Sequence, residues 1–311
     1  MQRFIVRRLL YMVLSMLAAT LLVFTLSRVV GDPRLLYAQP GGYGITTEAW
    51  ELMGKRMHLD KPVIVQYFYW LWDALRGNLG ESLLDRKPVV KHIVARIDNT
   101  LELALGGWIF ATLIGVPLGI LSAVKRGSIW DYLGRGFALL GQTLPVFWIG
   151  IMGILVFSVK LDLLPTGTRP DDISIKHYIM PAIVLGWFSA AGYLRLTRSA
   201  MLDVMDSEYI KLARAKGVNE MVIIWKHAFK NALIVPLTFS GLIFAGFITG
   251  AVVTETVFAW PGLGRLAFSA ATDNDFPMMV GLVLWFTAMF LVVNFIVDLI
   301  YAYVDPRIRF G

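Results

Sequence analysis

Long apolar stretches separated by charged segments are the main pattern along this chain. A helix needs about 20 apolar residues to cross the roughly 30 Å of hydrocarbon in a bilayer. Six stretches without Lys, Arg, Asp or Glu are candidates for such helices: Leu9–Ser27, Leu103–Val124, Phe137–Val159, Tyr178–Leu194, Ala232–Thr254 and Met278–Val297. The fourth is short, and we expect it to gain reach from a snorkelling Arg195 at its end. The pattern predicts an all-α, polytopic membrane protein with six transmembrane helices.

The stretch between the first two candidate spans is the least hydrophobic part of the chain. Gly31-Asp32-Pro33 and Gln39-Pro40-Gly41-Gly42 interrupt any helix there. We expect one helix from Thr46 or Thr47 to Arg56, and a second, aromatic-rich helix from Pro62 to Ala74. The rings suit the headgroup region of a membrane, although they could also line an entrance for substrate. The predicted regions are 1–30 with the first span, an extracytoplasmic segment at 31–100 and a five-helix core at 101–311.

A charged segment between the fourth and fifth spans, within 199–231, predicts two short amphipathic helices. Its apolar residues recur at helical spacing on both sides of Gly217: Met205, Tyr209, Leu212 and Ala213 before it, and Met221, Ile224, Trp225, Ala228 and Phe229 after it. Gly217 suits the left-handed position that ends a helix, and Asn219 is a good cap for the next helix. The segment favours a folded knob that another protein binds. The alternative is an interfacial helix lying on anionic lipid.

Composition and charge place the protein in a membrane and suggest its orientation. Hydrophobic residues make up 57% of the chain and charged residues only 16%. If the N-terminus is cytoplasmic, the cytoplasmic segments carry fifteen Lys and Arg residues, whereas the two short outside loops carry four. This asymmetry predicts that both termini and the 199–231 loop are cytoplasmic. The net charge of +7 then reflects topology and lipid contact rather than nucleic-acid binding.

The sequence lacks the patterns that accompany catalysis or metal binding. There is no cysteine and no G-x-x-x-x-G-K-[ST] phosphate-binding loop. The histidines are scattered along the chain, at His58, His92, His177 and His227. The carboxylate pairs Asp171-Asp172 and Asp273/Asp275 are typical of solvated turns. We expect no catalytic site, metal or cofactor, so any energy for directed transport must come from elsewhere.

Polar residues at two places could line or close a pore. Gln142, Thr143 and Pro145 put polar atoms and a helix-perturbing proline at one level of the third span. Glu255 ends the fifth span, where a carboxylate is costly unless it is paired or hydrated. It either reaches the outer interface or anchors the following turn, Trp260-Pro261-Gly262, as a gate. Further polar residues have both a pore and a purely structural interpretation: Ser189, Tyr193, Thr238, Ser240, Asn294 and Asp298.

Short motifs occur in a fixed order along nearly the whole chain. They are Arg7–Leu10, Gly31–Pro33, Gly77–Ser82, Arg96–Gly119, Leu163–Gly167, Leu196–Leu202, Ala213–Gly217, Asn231–Ile234, Glu255–Phe258, Trp260–Gly264 and Asp305–Arg309. In these motifs the chain resembles permease subunits of ABC importers of the peptide/nickel class, specifically the first of the two permeases usually found in such systems. One tripeptide is a weak signal, but this many in order and at these intervals is a strong one.

The resemblance implies the type I ABC importer permease architecture and a role for the 199–231 loop. In such permeases this region is the EAA loop, whose coupling helix sits in a groove of the ATPase. The residues that we expect to make this contact are Tyr209, Leu212, Ala213, Arg214, Ala215, Lys216, Gly217 and Trp225. Lys211 and Leu212 stand where the general loop has a glutamate and an alanine, which affects only the expected side-chain contacts.

The resemblance also implies partners and a location. It predicts a pore subunit rather than an enzyme, in a bacterial or archaeal plasma membrane. Its partners would be a second homologous permease forming a heterodimer, one or two cytoplasmic ATPase subunits, an extracytoplasmic solute-binding protein and membrane lipid. A self-sufficient channel or secondary transporter is the alternative, and it would favour ionisable residues within spans or interrupted inverted repeats. The substrate stays open among dipeptides, oligopeptides, nickel chelates, glutathione and oligosaccharides.

Overall fold

The computed structural model describes residues 2–29, 31–37, 46–169 and 174–304. In these residues the backbone is almost entirely helical, and the β-structure is limited to an isolated bridge between Glu81 and Pro88. The helices are α1 (Gln2–Val29), α2 (Thr47–Arg56), α3 (Val63–Leu75), α4 (Val89–Val124), α5 (Ile129–Thr143), α6 (Val146–Gly153), α7 (Ile175–Met205), α8 (Glu208–Ala215), α9 (Glu220–Val222), α10 (Lys230–Ala232), α11 (Ile234–Gly250), α12 (Val252–Val257), α13 (Leu263–Thr272) and α14 (Phe276–Val304). Two π-helical segments, Ile154–Lys160 and Ile223–Phe229, follow α6 and α9, and a 3-10 helix, Pro33–Tyr37, follows α1.

The chain forms two compact units, residues 1–98 with 262–311 and residues 99–261. Three features of the sequence lie outside the described residues: the break at Gln39–Gly42, the pair Asp171-Asp172 and the motif Asp305–Arg309.

The first unit, residues 1–98 with 262–311, is built around α1 and α14. Val23 of α1 packs with Val280 and Leu284 of α14. Tyr67 of α3 meets Phe24 of α1 edge to face, with ring centroids 5.4 Å apart. The two predicted extracytoplasmic helices therefore form as α2 and α3, and α3 uses part of its aromatic face for packing on α1.

A second cluster in this unit joins the start of α4 to α13 and α14. It contains Val89 and Ile93 of α4, Leu263 of α13 and Leu282 of α14. Asp275 is buried beside this cluster, where it accepts a hydrogen bond from Ser82. The prediction of a solvated turn was therefore wrong for Asp275, because its carboxylate also accepts a hydrogen bond from Met278 N (3.3 Å) in the first turn of α14.

The second unit, residues 99–261, packs its other helices around α7. Small residues bring the α4 and α7 backbones together, as is common between membrane helices. A Cβ on Gly115 of α4 would lie 2.4 Å from the carbonyl oxygen of Ala190 on α7. A Cβ on Gly186 of α7 would lie 2.5 Å from the carbonyl oxygen of Gly107. Glycine is therefore required at both positions of this seam.

The described helices confirm an all-α membrane fold and correct several predicted spans. Four of them, α1, α4, α7 and α14, are long and apolar enough to cross a membrane, and the number is six if each of two bent pairs forms one span. The third predicted span contains the break of one pair, whose arms meet at 103°, and the fifth corresponds mainly to the second arm of the other pair, whose arms meet at 52°.

Proline explains both bends. Its ring clashes with the carbonyl four residues earlier and disfavours helix in the preceding residue. Leu144, before Pro145, has an extended backbone (ψ 128°), and Pro236 follows the bend at Leu233. The fourth span was also predicted too short, since α7 continues through Arg195 to Met205. Snorkelling of Arg195 is therefore unnecessary for that helix to reach across the membrane.

Candidate functional site

The 199–231 loop folds as a compact knob, which we define as residues 206–231. Ile210 of α8 and Ile223 and Ala228 of the following segment are fully buried against Ile120 of α4 and Met201 of α7. The sequence pattern missed Ile210, whereas Tyr209 and Leu212, which it placed on the apolar face expected to bind a partner, are exposed. The π-helical segment 223–229 shifts the phase of the second apolar stripe, so that Ile224 is buried and Trp225 is exposed.

The turn of the knob has the conformation that the sequence predicts. Gly217 has φ +74°, and its N–H donates to the carbonyl of Arg214 (2.9 Å). Asn219 Oδ1 accepts a hydrogen bond from Met221 N (2.9 Å), as expected of a helix cap. No heavy atom lies within 4 Å of where a Gly217 Cβ would be. Glycine is therefore favoured here by the backbone conformation and not by space.

The outward face of the knob combines apolar side chains with a charged border. Leu212, Met221 and Trp225 are 56%, 61% and 50% exposed. Arg214 bridges the turn to Glu220 (2.8 Å), and this hydrogen bond raises the pKa of the Arg214 guanidinium. Of the other predicted contact residues, Tyr209, Ala215, Lys216 and Gly217 are exposed and Ala213 is partly buried. An exposed apolar surface with a charged border is suited to binding another protein.

The side chain of Tyr209 is held in place by a hydrogen bond from Asn231. Asn231 Nδ2 donates both to the Tyr209 hydroxyl (3.2 Å) and to the carbonyl of His227 (2.7 Å). Trp225 packs edge-on against Phe229, with ring centroids 5.5 Å apart. These contacts order two exposed aromatic side chains before any partner binds, which lowers the entropic cost of binding.

The predicted pore residues of the third span lie at the break between α5 and α6. Arg195 Nη1 of α7 donates to Gln142 Oε1 (3.0 Å). The Thr143 hydroxyl donates to the carbonyl of Leu139 in its own helix (3.0 Å). This bond favours a structural role for Thr143 over a role in the pore. Pro145 is exposed at the start of α6. The same backbone bonding occurs for Thr238, with Ile234 O (2.8 Å), and for Asn294, with Phe290 O (2.8 Å).

Glu255 is the centre of a buried polar cluster in the second unit. Its side chain has 0% exposure and accepts a hydrogen bond from Thr100 Oγ1 (2.8 Å). The Trp260 indole N–H donates to the carbonyl of Asn99 (2.8 Å), and Asn99 Nδ2 donates to the carbonyl of Pro261 (2.9 Å). We call Asn99, Thr100, Glu255, Trp260 and Pro261 the Glu255 cluster. It ties the end of α12 to α4, so Glu255 is not a side chain that reaches for the outer interface.

The turn after Glu255 differs in detail from its prediction. The left-handed residue is Ala259 (φ +50°), which precedes the predicted turn. Gly262 is extended and precedes α13, and Gly264 lies within that helix. The sequence did not indicate this, because a glycine-rich turn and a helix start use the same residues.

A second polar group near this cluster was missed by the sequence reasoning. Arg169 binds Glu102 with both nitrogens of its fork (3.1–3.3 Å), and the Tyr178 hydroxyl donates to Glu102 Oε2 (2.7 Å). The Tyr178 ring packs edge-on to Trp260, with centroids 5.1 Å apart. The available signal was that Glu102 and Tyr178 lie at the starts of two predicted spans. Both spans start on the same side of the membrane, so a donor and an acceptor placed there can meet.

Two family models match the chain. Residues 115–310 match the binding-protein-dependent transport system inner membrane component, and residues 1–104 match the N-terminal part of such membrane components. The chain belongs to this family. The resemblance to ABC importer permeases that the motifs indicated is thereby confirmed.

Relatives of this permease share its full length. The dipeptide transport system permease protein DppB of Escherichia coli K12 is 39% identical over 99% of both chains. DppB of Alkalihalophilus pseudofirmus is 36% identical over 100% of both chains. The di/tripeptide transport system permease protein DppB of Pseudomonas aeruginosa UCBPP-PA14 is 36% identical over 99% of both chains.

Solved structures support the fold of this permease. Inward-facing MetNI methionine ABC transporter structures align with TM-scores of 0.55 and 0.56 at 20% identity. They cover 68% and 69% of this chain and 96% of the matched chain. The likeness confirms the architecture of an ABC importer permease, and about a third of this chain lies beyond it.

Proposed function

We propose that this permease forms one half of a pore that carries peptides into the cytoplasm. Its full-length similarity to permeases named for dipeptide and di/tripeptide transport supports peptides as the substrate class. A separate ATPase binds the knob and drives transport. The observation that carries this proposal is the exposed apolar face at Leu212, Met221 and Trp225 on a segment whose other face is fully packed.

The orientation follows from the distribution of basic residues. Both termini and the knob lie on the cytoplasmic side of a bacterial or archaeal inner membrane, and segment 31–100 lies on the opposite side. The α1 helix is the first span, and residues 101–311 supply the five-helix core. The salt bridge between Arg8 and Asp298 (2.7 Å) fits this topology, because it places the start of α1 and the end of α14 on the same side.

The pore requires further subunits. One six-span chain encloses too little space for a peptide, so a second, homologous permease supplies the other wall by pseudo-two-fold pairing. An extracytoplasmic solute-binding protein delivers the substrate. Gln142, Thr143 and Pro145 at the helix break contribute to the pore, and Glu255, Trp260, Pro261 and Gly262 support an outer gate.

The docking role of the knob is tested with one charge substitution and a matched control. Leu212→Glu places a carboxylate on the apolar face, whereas Leu163→Glu changes a residue of similar exposure (58%) in a loop on the other side. Each variant is co-expressed with its ATPase and second permease and purified in detergent. We expect Leu212→Glu to lose the ATPase and Leu163→Glu to retain it. Retention of the ATPase by both variants, with normal peptide uptake, would contradict the proposal.

The substrate and subunit composition are tested in proteoliposomes. ATP-dependent uptake of a radiolabelled dipeptide should require this chain, the second permease, the ATPase and the binding protein together. Full uptake without the second permease would indicate a homodimer. Uptake of a nickel chelate but no peptide would overturn the substrate class and leave the transport function in place.

A further inference from the structure

A buried ion pair joins the base of α5 to α7. Arg198 Nε donates to Asp131 Oδ1 (2.7 Å) and Arg198 Nη2 donates to Asp131 Oδ2 (3.0 Å), so the contact is bidentate. The Asp131 side chain is 3% exposed and that of Arg198 is 22% exposed. Bidentate Arg–carboxylate pairs fix the relative orientation of the two groups as well as their distance.

Two more groups complete the network around Asp131. Ser122 Oγ, near the end of α4, donates to Asp131 Oδ1 (2.6 Å), and Gly127 N, in the turn before α5, donates to Asp131 Oδ2 (3.0 Å). Arg198 Nε also donates to Ser122 Oγ (3.1 Å). The carboxylate thus holds three helices and a turn at one point, all within residues 99–261.

Stability alone is a weak explanation for this arrangement. Replacing a buried ion pair by well-packed apolar residues is often neutral or stabilising, because taking charges out of water is costly. The gain from a fully bonded buried network is a defined geometry.

The network lies between the knob and the broken helix. Ala200 and Met201, just after Arg198 on α7, belong to the cluster that packs on the knob. At its other end, α5 leads from Asp131 to the 103° bend before Pro145. Along the way α5 and α7 are in close contact, since a Cβ on Gly141 would lie 2.4 Å from Ala191 Cβ. A movement of the knob that shifts α7 would therefore also shift α5, which is in direct contact with it.

We propose that Asp131, Arg198 and Ser122 form a rigid joint that transmits ATPase-driven movement of the knob through α7 to α5 and the break at Leu144-Pro145. These are positioning residues, which act on transport through the helices that they hold. The proposal rests on the proposed function, in which the knob binds the ATPase and the break faces the pore.

The test compares single and double variants of the pair. Asp131→Asn leaves the charge of Arg198 unpaired, and Arg198→Met leaves the charge of Asp131 unpaired. The double variant removes both charges. Each is reconstituted with the ATPase, second permease and binding protein. The measured quantities are ATPase co-purification, the midpoint of thermal unfolding, and peptide molecules transported per ATP hydrolysed. Lys61→Gln is the control, because it removes one charge of an exposed pair with Asp60 (3.3 Å) that lies outside the knob and the network.

We expect all variants to retain the ATPase, because the docking face is untouched. Both single variants should transport about tenfold fewer peptides per ATP and unfold at lower temperature. The double variant should regain much of its thermal stability, since no charge is left buried alone, while peptides per ATP stay low. Lys61→Gln should match the unchanged protein in all three measurements.

Two outcomes would overturn the joint. Recovery of peptides per ATP in parallel with stability in the double variant would assign the pair a purely structural role. Normal coupling in both single variants would show that it has no role in transmission. By contrast, failure of the unchanged chain to bind the ATPase or transport peptide would refute the proposed function itself, so the two failures are distinguishable.

Discussion

The knob and the Glu255 cluster each contain a tryptophan, but the two side chains differ in burial and hydrogen bonding. Trp260 is fully buried and its indole N–H donates to Asn99 O (2.8 Å). Trp225 is half exposed and packs edge-on against Phe229. A buried and bonded tryptophan stabilises the chain that contains it, whereas an exposed and ordered one is available to a partner. The cluster forms within this chain, whereas we propose that the face of the knob is covered by another protein.

The largest expected effect separates the two tryptophans by stability. Trp260→Ala should lower the free energy of unfolding by about 3–5 kcal/mol, because it removes a large buried side chain and leaves a cavity. Trp225→Ala should change it little. The midpoint of unfolding in detergent, measured for both variants, checks this. Equal losses in the two variants would mean that the knob tryptophan is also part of the core.

The second effect separates them by binding. Trp225→Ala should weaken ATPase binding by about 2 kcal/mol, or about 30-fold, as expected for an exposed aromatic anchor at an interface. Titration of the purified permease complex with labelled ATPase measures the change. A conservative Trp225→Phe variant keeps the aromatic ring and should retain most of the affinity. Unchanged affinity for Trp225→Ala would move the contact to another face of the knob.

The third effect concerns the backbone of the knob. Gly217→Val forces a β-branched residue into the left-handed region, which costs about 1–2 kcal/mol, although no atom blocks the side chain. We expect reduced uptake and reduced ATPase binding from a distorted turn. Gly77→Val is the matched control, because Gly77 has φ +81° and equally open space outside the knob. If Gly77→Val reduces ATPase binding as much, the effect is one of general folding.

The same contrast shows what the sequence could predict. Helix starts and stops in the knob follow local rules, so Gly217 and Asn219 were assigned correctly. The membrane fold follows from the length of the apolar stretches alone. These features depend on neighbours in the sequence, and local patterns report them well.

Features that depend on distant residues were missed. Ile210 is buried by α4 and α7, and Asp131 meets Arg198 only once α5 has packed on α7. The π-helical segment 223–229 shifts the exposed face by a fraction of a turn, which a helical repeat cannot anticipate. The bends near Pro145 and Pro236 were signalled locally by the prolines. A proline does not, however, distinguish a mild kink within one span from a break into two arms.

The smallest expected effect tests whether the Glu255 cluster is a gate or only a packed core. Glu255→Gln removes the charge and keeps a carbonyl oxygen for Thr100, so the loss of stability should be about 1 kcal/mol. If the cluster holds an outer gate, weaker closure should raise basal ATP turnover while the ATPase stays bound. Thr100→Val removes the donor instead and should act in the same direction. Basal and substrate-stimulated ATPase activity in liposomes measures both variants. Reduced thermal stability with unchanged basal turnover and unchanged stimulation would reject the gate, and the cluster would then be structural.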